Sequence, residues 1–527
     1  VKKRDDICNN TMTRREFIGC VVKTSAFIAA MSRARVGFAG SKSQPNIILL
    51  MADQFRGDCV GCAGNSVIKT PNLDKLAGDG IVFNKAYTSL PSCTPARATL
   101  LTGLGAWRHG MLGYHKVAPH YKNEKPRMLR NAGYYTVGIG KMHWHPQRTT
   151  HGLHEMYLDE SGRANTKDFV SDYRQWFRKV APGKNPEVTG IGWNDYQSGI
   201  YKLDEKLHPT HWTGQKAIDV IENYNNPMPL YLKVSFARPH SPYDPPKRFM
   251  EMYKQEDMPI PAVGDWAEVN AMRGKKVSDR TARGDLGVEQ AQKSRRGYYG
   301  NISFIDEEVG RIIDSLKKRG LYENSLILFF ADHGDMTGDH HLWRKTYAYE
   351  GSAHIPMLVR WPGKFKTKKQ RGSQSDKLIE LRDVLPTFLD AAGVDYDEKE
   401  FDGSSMLELL TKDKPEWREV LDLEHSRCYW DANQWNALTD GRYKYIYFSH
   451  DGNEQLFDLN NDPQETVNLA AKAEHKDKVE MWRKQMVEHL SERGEEWVKD
   501  GKLCTHKNML LGPNYPGVAK DGKPINA

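Results

Sequence analysis

With 527 residues, 39% of them hydrophobic and 27% charged, the chain has the composition of a soluble globular enzyme large enough for more than one domain or subdomain. Its net charge of +8 favours anionic partners, but no basic stripe interleaved with aromatics accompanies it, which argues against nucleic acid. Seven cysteines, an odd number in so long a chain, do not make a disulfide framework.

The first segment with a character of its own is "TRREFIGCVVKTSAFIAAM" (13–31), paired arginines followed by an apolar stretch broken by Lys23. It is too short and too polar to span a membrane and resembles a twin-arginine export signal, with "GFAG" (37–40) as a processing region. Residues 1–43 are therefore expected to be an export signal and linker, and the mature protein to be periplasmic or secreted with no transmembrane span.

A strand follows at "NIILLMADQ" (46–54), a continuous apolar run ending at Asp53 and Gln54. The pair "CVGC" (59–62) has redox spacing but no second pair to complete a zinc site, so core packing is expected of it. A helix is predicted over "PNLDKLAGDG" (71–80). In "LPSCTPARATLLTG" (90–103) Thr94 suits an N-cap, Pro95 the first helical position and Gly103 a stop. This places Cys93 where backbone N–H groups and the helix dipole favour an anion, and it puts Arg97 in a first turn that a cation does not serve.

Three further apolar runs end in the same way. "YYTVGIGKMHWH" (134–145) reaches Lys141 and His143, "LYLKVSFARPH" (230–240) reaches His240, and "SLILFFADHGD" (325–335) reaches Asp332 and His333. Helical patterns at 216–224 and 303–320 fall between them. Alternating strands and helices predict an open α/β fold, with a parallel sheet flanked by helices. Ligands of such sheets bind beyond the carboxyl ends of the strands, so all these polar residues should converge on one site with Cys93 and Arg97. Asp53, Gln54 and Asp332 offer hard oxygen ligands, which favours Ca²⁺ or Mg²⁺ over zinc. Segments 155–215 and 250–296 are expected to form the pocket rim, and the basic run "KFKTKKQR" (364–371) a solvated loop.

In this context "CTPAR" (93–97) followed by "ATLLTG", "GKMH" (140–143), "RPHSPY" (238–243), "FFADHGD" (329–335) and "LWRKTYAYEGS" (342–352) resemble, in order, the landmarks of sulfatases of the alkaline phosphatase superfamily. "TDGRYKYIYF" and "EQLFDLNNDPQETVNLA" (455–471) resemble that family's small C-terminal subdomain. The resemblance implies an alkaline phosphatase-like α/β catalytic domain over 44–415, with a large mixed, mostly parallel sheet flanked by helices. A smaller α+β subdomain with an antiparallel sheet, and a tail, would then occupy 416–527.

The resemblance further implies that a maturation enzyme oxidises Cys93 to formylglycine, whose hydrate is the nucleophile. Asp53, Gln54, Cys93 (through the modified side chain), Asp332 and His333 would hold a Ca²⁺ or Mg²⁺ ion. Arg97, Lys141 and Lys345 would bind the sulfate, His240 would protonate the leaving alcohol, and His143 would act as base in regenerating the aldehyde. The expected activity is hydrolysis of a sulfate ester, on a sulfated carbohydrate in preference to a simple aryl ester. Many relatives have Asp where this chain has Gln54, and some have Asn where it has His333. The Asp-Gln pair also resembles the phosphonate monoester hydrolase and choline sulfatase branches, so a phosphonate or phosphate ester hydrolase is the alternative. A non-catalytic anionic-glycan binder and a thiol-redox role for Cys59 and Cys62 are the readings from other classes.

Overall fold

The four apolar runs that end in polar residues are neighbours in one sheet. The computed structural model describes residues 44–163, 165–278 and 280–517, so residues 1–43, where an export signal and linker are expected, lie outside the described residues. The main sheet has eight strands: β1 (Asn46–Asp53), β2 (Ile81–Tyr87), β3 (Tyr135–Gly140), β4 (Glu155–Leu158), β5 (Leu230–Pro239), β6 (Ser325–Ala331), β7 (Met357–Arg360) and β8 (Ser373–Glu380). Their spatial order is β8-β2-β7-β6-β1-β5-β3-β4, and only β7 runs antiparallel to its neighbours.

Strands β1, β5 and β6 are buried along their whole length, as unalternating apolar sequence requires of strands covered on both faces. Ile47 of β1 aligns with Tyr231 of β5 and Leu326 of β6, so the three strands end at nearly one level. There β1 meets Gln54 and β3 meets Gly140, both in the left-handed region, at φ of 65° and 87°. Each turn lifts the following residues off the sheet edge and above it.

Helices cover the sheet: α1 (Pro71–Gly78), α2 (Cys93–Thr102), α3 (Pro209–Asn223), α4 (Val288–Lys318) and α5 (Val384–Ala392). Both α3 and α4 pack on β5, and α5 packs on α2. Helix α2 begins earlier than the sequence suggests. Ser92, in extended conformation, is its N-cap, and its carbonyl accepts the first intrahelical bond from Ala96 N–H at 3.1 Å. Cys93 is therefore the first residue of the helix, while Gly103 closes it at φ 70° as expected. Helix α4 also extends well upstream of 303, through a charged stretch that reads as loop. Gly297 makes this possible, because a Cβ there would come 2.5 Å from Ser198 and 2.9 Å from the Tyr243 carbonyl. The helix thus closes onto the segment that follows His240.

A second, antiparallel sheet holds β9 (Leu421–His425), β10 (Trp435–Thr439), β11 (Tyr443–Tyr447) and β12 (Glu454–Asp458) in consecutive order. Alternate residues face opposite ways. Leu438, Tyr445 and Leu456 meet Val479, Trp482, Met486 and Leu490 of α6 (Lys476–Leu490), which recur at helical spacing. Trp435, Ile446 and Phe457 face the opposite way and pack on Tyr347, Tyr349 and Ala353, in the segment that carries Lys345. Lys444 of β11, fully buried, reinforces this contact by binding Glu350 at 2.6 Å and Glu465 at 2.9 Å.

Cys59 and Cys62 are free thiols, and burial above all raises the pKa of both, that of Cys62 to about 12. A reactive thiolate is not favoured there, in keeping with packing. The 364–371 run is exposed apart from Phe365 and the half-buried Thr367 and Arg371. Among the described residues, no helix is long and apolar enough to cross a membrane.

Candidate active site

The carboxyl ends of β3, β5, β1 and β6 and the first turn of α2 converge on one buried cluster. The Cys93 sulfur lies 3.1 Å from Nε2 of His333 and 3.5 Å from Oδ1 of Asp53. One ligand atom each from Asp53, Cys93, Asp332 and His333 falls within 4.8 Å of the others, and all four residues are buried. Nδ1 of His333 donates to the Gly334 carbonyl at 2.9 Å, which fixes the tautomer and leaves Nε2 facing the cluster.

Three cations surround these carboxylates. Arg97 donates from Nε to Asp332 at 2.8 Å and from a terminal nitrogen to Ser235 Oγ at 3.1 Å. Lys141 makes an ion pair with Oδ2 of Asp53. Lys345 donates to Gln54 Oε1 at 2.6 Å and to Nε2 of His240 at 2.8 Å. The Gln54 amide nitrogen is held by Asp335 at 2.5 Å, and the same carboxylate oxygen accepts from Tyr243. Gln54 is thus oriented by two partners, with its carbonyl oxygen toward Lys345.

These charges set the titration of the site. Burial pushes the Asp53 carboxyl up, but its cationic neighbours, Lys141 above all and Arg97, hold it well below its ordinary value. For Cys93, burial and Asp53 disfavour the thiolate, and Lys345, Lys141 and His333 overcome them, so its pKa is lowered. Burial and then Lys345 drive the pKa of His240 well below the ordinary value, and burial and then Lys141 do the same to His143. Both imidazoles are neutral at physiological pH.

The structure brings Cys93, Arg97, Lys141, His240, Lys345, Asp53, Gln54, Asp332 and His333 together. His143 sits beyond the end of β3 at φ 60°, its backbone N–H held by Glu160 at 2.9 Å. Its Nε2 lies 3.3 Å from the Tyr114 hydroxyl, and its Nδ1 is buried without a partner.

Sequence reasoning missed three neighbours of this set. Tyr114 touches His143, Glu160 anchors the loop that carries it, and Trp193 stacks on His240 with ring centroids 3.9 Å apart and an interplanar angle of 12°. None lies at the end of a predicted strand. Only Asp335, the second acid of "FFADHGD", had a legible signal.

The donor set fits a hard divalent cation. Asp53 Oδ2 is buried and accepts no well-aligned hydrogen bond, and two carboxylates and an imidazole already face one point. Residues above a helix N-terminus flanked by Arg97, Lys141 and Lys345 suit a tetrahedral oxyanion.

Comparison with known proteins agrees with this geometry. Residues 45–394 match the family described as Sulfatase, and residues 338–492 match the one described as N-sulphoglucosamine sulphohydrolase, C-terminal. An arylsulfatase of Clostridium perfringens (strain 13 / Type A) is 38% identical over 475 residues, covering 87% of this chain and 97% of its own. A choline-sulfatase of Rhizobium meliloti (strain 1021) is 31% identical over 446 residues, covering 81% of this chain and 82% of its own. Among solved structures, the phosphonate monoester hydrolase of Agrobacterium radiobacter superposes with a TM-score of 0.73 at 25% identity, covering 86% of this chain and 96% of its own.

Proposed function

The chain belongs to the sulfatase family, and we propose that it hydrolyses a sulfate ester on a sulfated carbohydrate with formylglycine derived from Cys93. The observation that carries this reading is the placement of Cys93 at the start of α2, between an acidic cation cradle and the three cations Arg97, Lys141 and Lys345.

Asp53, Asp332 and His333, with Gln54 and the modified side chain of residue 93, would hold Ca²⁺ or Mg²⁺. When bound, the cation supplies Lewis acidity that lowers the pKa of the attacking hydroxyl and offsets charge on the sulfate oxygens. Formylglycine supplies, as its hydrate, one hydroxyl to attack sulfur and a second whose deprotonation expels sulfate and restores the aldehyde. A thiol has no such second hydroxyl.

The chain's own residues do the rest. Arg97 is aimed by Asp332 and Ser235 and binds sulfate oxygens from a fixed position. Lys141 and Lys345 flank the group on either side of the Asp53–Gln54 turn. His240 and Lys345, already joined by a hydrogen bond, deliver a proton to the departing alcohol. His143, neutral and with a free buried nitrogen, accepts the proton of the second hydroxyl.

A second reading is supported by Gln54 and by the structural likeness to a phosphonate monoester hydrolase: cleavage of a phosphonate or phosphate ester, or of choline sulfate, by the same site. The ratio of kcat/KM for matched sulfate and phosphonate esters separates the two. A ratio favouring the phosphonate would reverse the assignment. Export through the 13–31 segment and oxidation of Cys93 by a maturation enzyme complete the proposal. Mass spectrometry of the secreted protein tests both.

A further inference from the structure

The loop that carries Trp193 belongs to no helix or strand, yet it is tied to the residue that follows His240. The Ser241 hydroxyl donates to the Asp195 carbonyl and lies 3.1 Å from that of Gly192. The Asp195 carboxylate accepts from the Gly192 N–H at 2.7 Å with one oxygen and from Arg280 Nε at 2.9 Å with the other. Gly162 closes on the indole, where a Cβ would come 2.5 Å from the ring. An adjoining cavity of about 320 Å³ leaves the ring without packing on that side, so these anchors set its position.

The placement also carries strain. Asn194, the next residue, is held at φ 109°, in the left-handed region that residues with a side chain rarely adopt. Such a conformation persists only where the surroundings over-determine it, and it gathers at functional sites.

What the loop presents to the site is an aromatic face. Indole and imidazole lie 3.9 Å apart at an interplanar angle of 12°, and the Lys141 ammonium is 4.7 Å from the indole centroid. His240 makes two hydrogen bonds, from Lys345 to Nε2 at 2.8 Å and from Nδ1 to the Ser241 carbonyl at 2.9 Å. Both lie near the plane of the ring, so they leave it free to rock about the line that joins its nitrogens. A parallel ring against one face removes that rotation. Trp193 is half-buried and His240 beneath it is 1% exposed, so the indole also shields the imidazole from water. Its π face favours positive charge nearby, both that of Lys141 and that of the proton shared by His240 and Lys345.

We propose that Trp193 is a positioning residue for the leaving-group half of the reaction, holding the His240 imidazole in the orientation that serves the departing oxygen together with Lys345. The assignment rests on the sulfate-ester reading and concerns the protonation step alone.

The test uses the full chain with p-nitrophenyl sulfate, whose phenol departs without a proton, and the 6-sulfates of galactose and N-acetylglucosamine, whose alcohols need one. Trp193→Ala should lower kcat/KM for the sugar esters by about 10–10²-fold, through kcat more than KM, and leave the aryl ester within about 3-fold. Trp193→Phe, which keeps a ring against the imidazole, should recover most of the loss. In a His240→Ala background the same change should cost the sugar esters no more than about 2-fold, because nothing remains to be positioned. A packing role would instead give equal losses on both esters, and a direct sugar contact would give a sugar-specific loss that persists without His240. Either result would overturn the proposal. The stack is also read without turnover, from the Cε1 proton resonance of His240, identified by its disappearance in His240→Ala. That resonance should move downfield in Trp193→Ala as the indole ring current is lost, and an unchanged resonance would overturn the proposal as well. Inactivity of the unmutated enzyme toward every sulfate ester would count against the sulfatase reading instead, and the resonance would still decide the placement of the ring.

Discussion

Lys345 donates to Nε2 of His240 at 2.8 Å while Nδ1 of the same ring donates to the Ser241 carbonyl at 2.9 Å. The imidazole is thus neutral and accepts from the lysine, so in the proposed reaction the proton for a departing alcohol would come from the pair and not from the histidine alone. Removing either residue should slow poor leaving groups such as sugar alcohols by about 10²–10⁴-fold and activated phenols far less. Because the two act as a unit, the double variant His240→Ala/Lys345→Ala should cost little more than the worse single one. Additive losses, equal for alkyl and aryl sulfates, would show that the pair transfers no proton.

His143 is assigned to the other half of the cycle, so its loss should not depend on the leaving group. His143→Ala should give a rapid burst of alcohol equal to the enzyme concentration, followed by slow turnover limited by sulfate release. Stopped-flow measurement with an aryl sulfate reads this directly. Linear progress from the first turnover would remove His143 from that step.

Cys93 is buried and small, so Cys93→Ala should leave the thermal midpoint nearly unchanged while abolishing turnover. Active protein should carry an aldehyde at this position, visible in the mass of the peptide that contains it. Substantial activity in the alanine variant would end the formylglycine account.

A single Ca²⁺ or Mg²⁺ should co-purify with the protein, and chelation should abolish activity reversibly. Asp53→Asn should lose the ion. It should also lower stability, because Lys141 and Arg97 lose a buried counter-charge, a change that typically costs about 3–5 kcal/mol. Two zinc ions per chain by elemental analysis would refute the assignment.

Two carboxylates, Glu350 and Glu465, share the ammonium of Lys444, and burial raises the pKa of Glu465 to about 7. Its unfolded value is near 4.5, so between about pH 4.5 and 7 the folded state binds the extra proton. This contribution to stability is therefore present at low pH and lost as pH rises through 7. The difference in stability between wild type and Glu465→Gln should shift against the wild type across that window, by at most about 3 kcal/mol. A difference that stays flat with pH would show that Glu465 is ionised throughout.

Much of the main sheet could be read from the chain because β1, β3, β5 and β6 are apolar runs with abrupt polar endings. Burial on both faces forces that pattern on a central strand. The acids and bases at those endings followed at once. Helix α2 was placed two residues late because Thr94 is a good cap in isolation, whereas Ser92 has the extended backbone that starts the turn. The upstream half of α4 was hidden by its charge, since its buried face is built partly from Gly297, Ser294 and Arg295 in place of aliphatics. Trp193 and Tyr114 lie in connecting segments with no periodicity to reveal which way they point. Their role depends on contacts with residues far away in sequence.

The burial of Cys93 imposes an order of events in time. At 1% exposure, beneath the turns that end β1 and β6, its sulfur is closed to any modifying enzyme once the sheet is complete. Strand β6 pairs with β1 at the centre of the sheet, yet it is synthesised more than two hundred residues after Cys93. While that stretch is still emerging, the 90–103 segment is an open peptide. If Cys93 is oxidised as proposed, the oxidation belongs to that interval, and the yield of active protein would be set by a race between a maturation enzyme and the arrival of β6. Slower synthesis of residues 104–325 would favour activation, and faster folding would leave a perfectly folded, permanently inert thiol form.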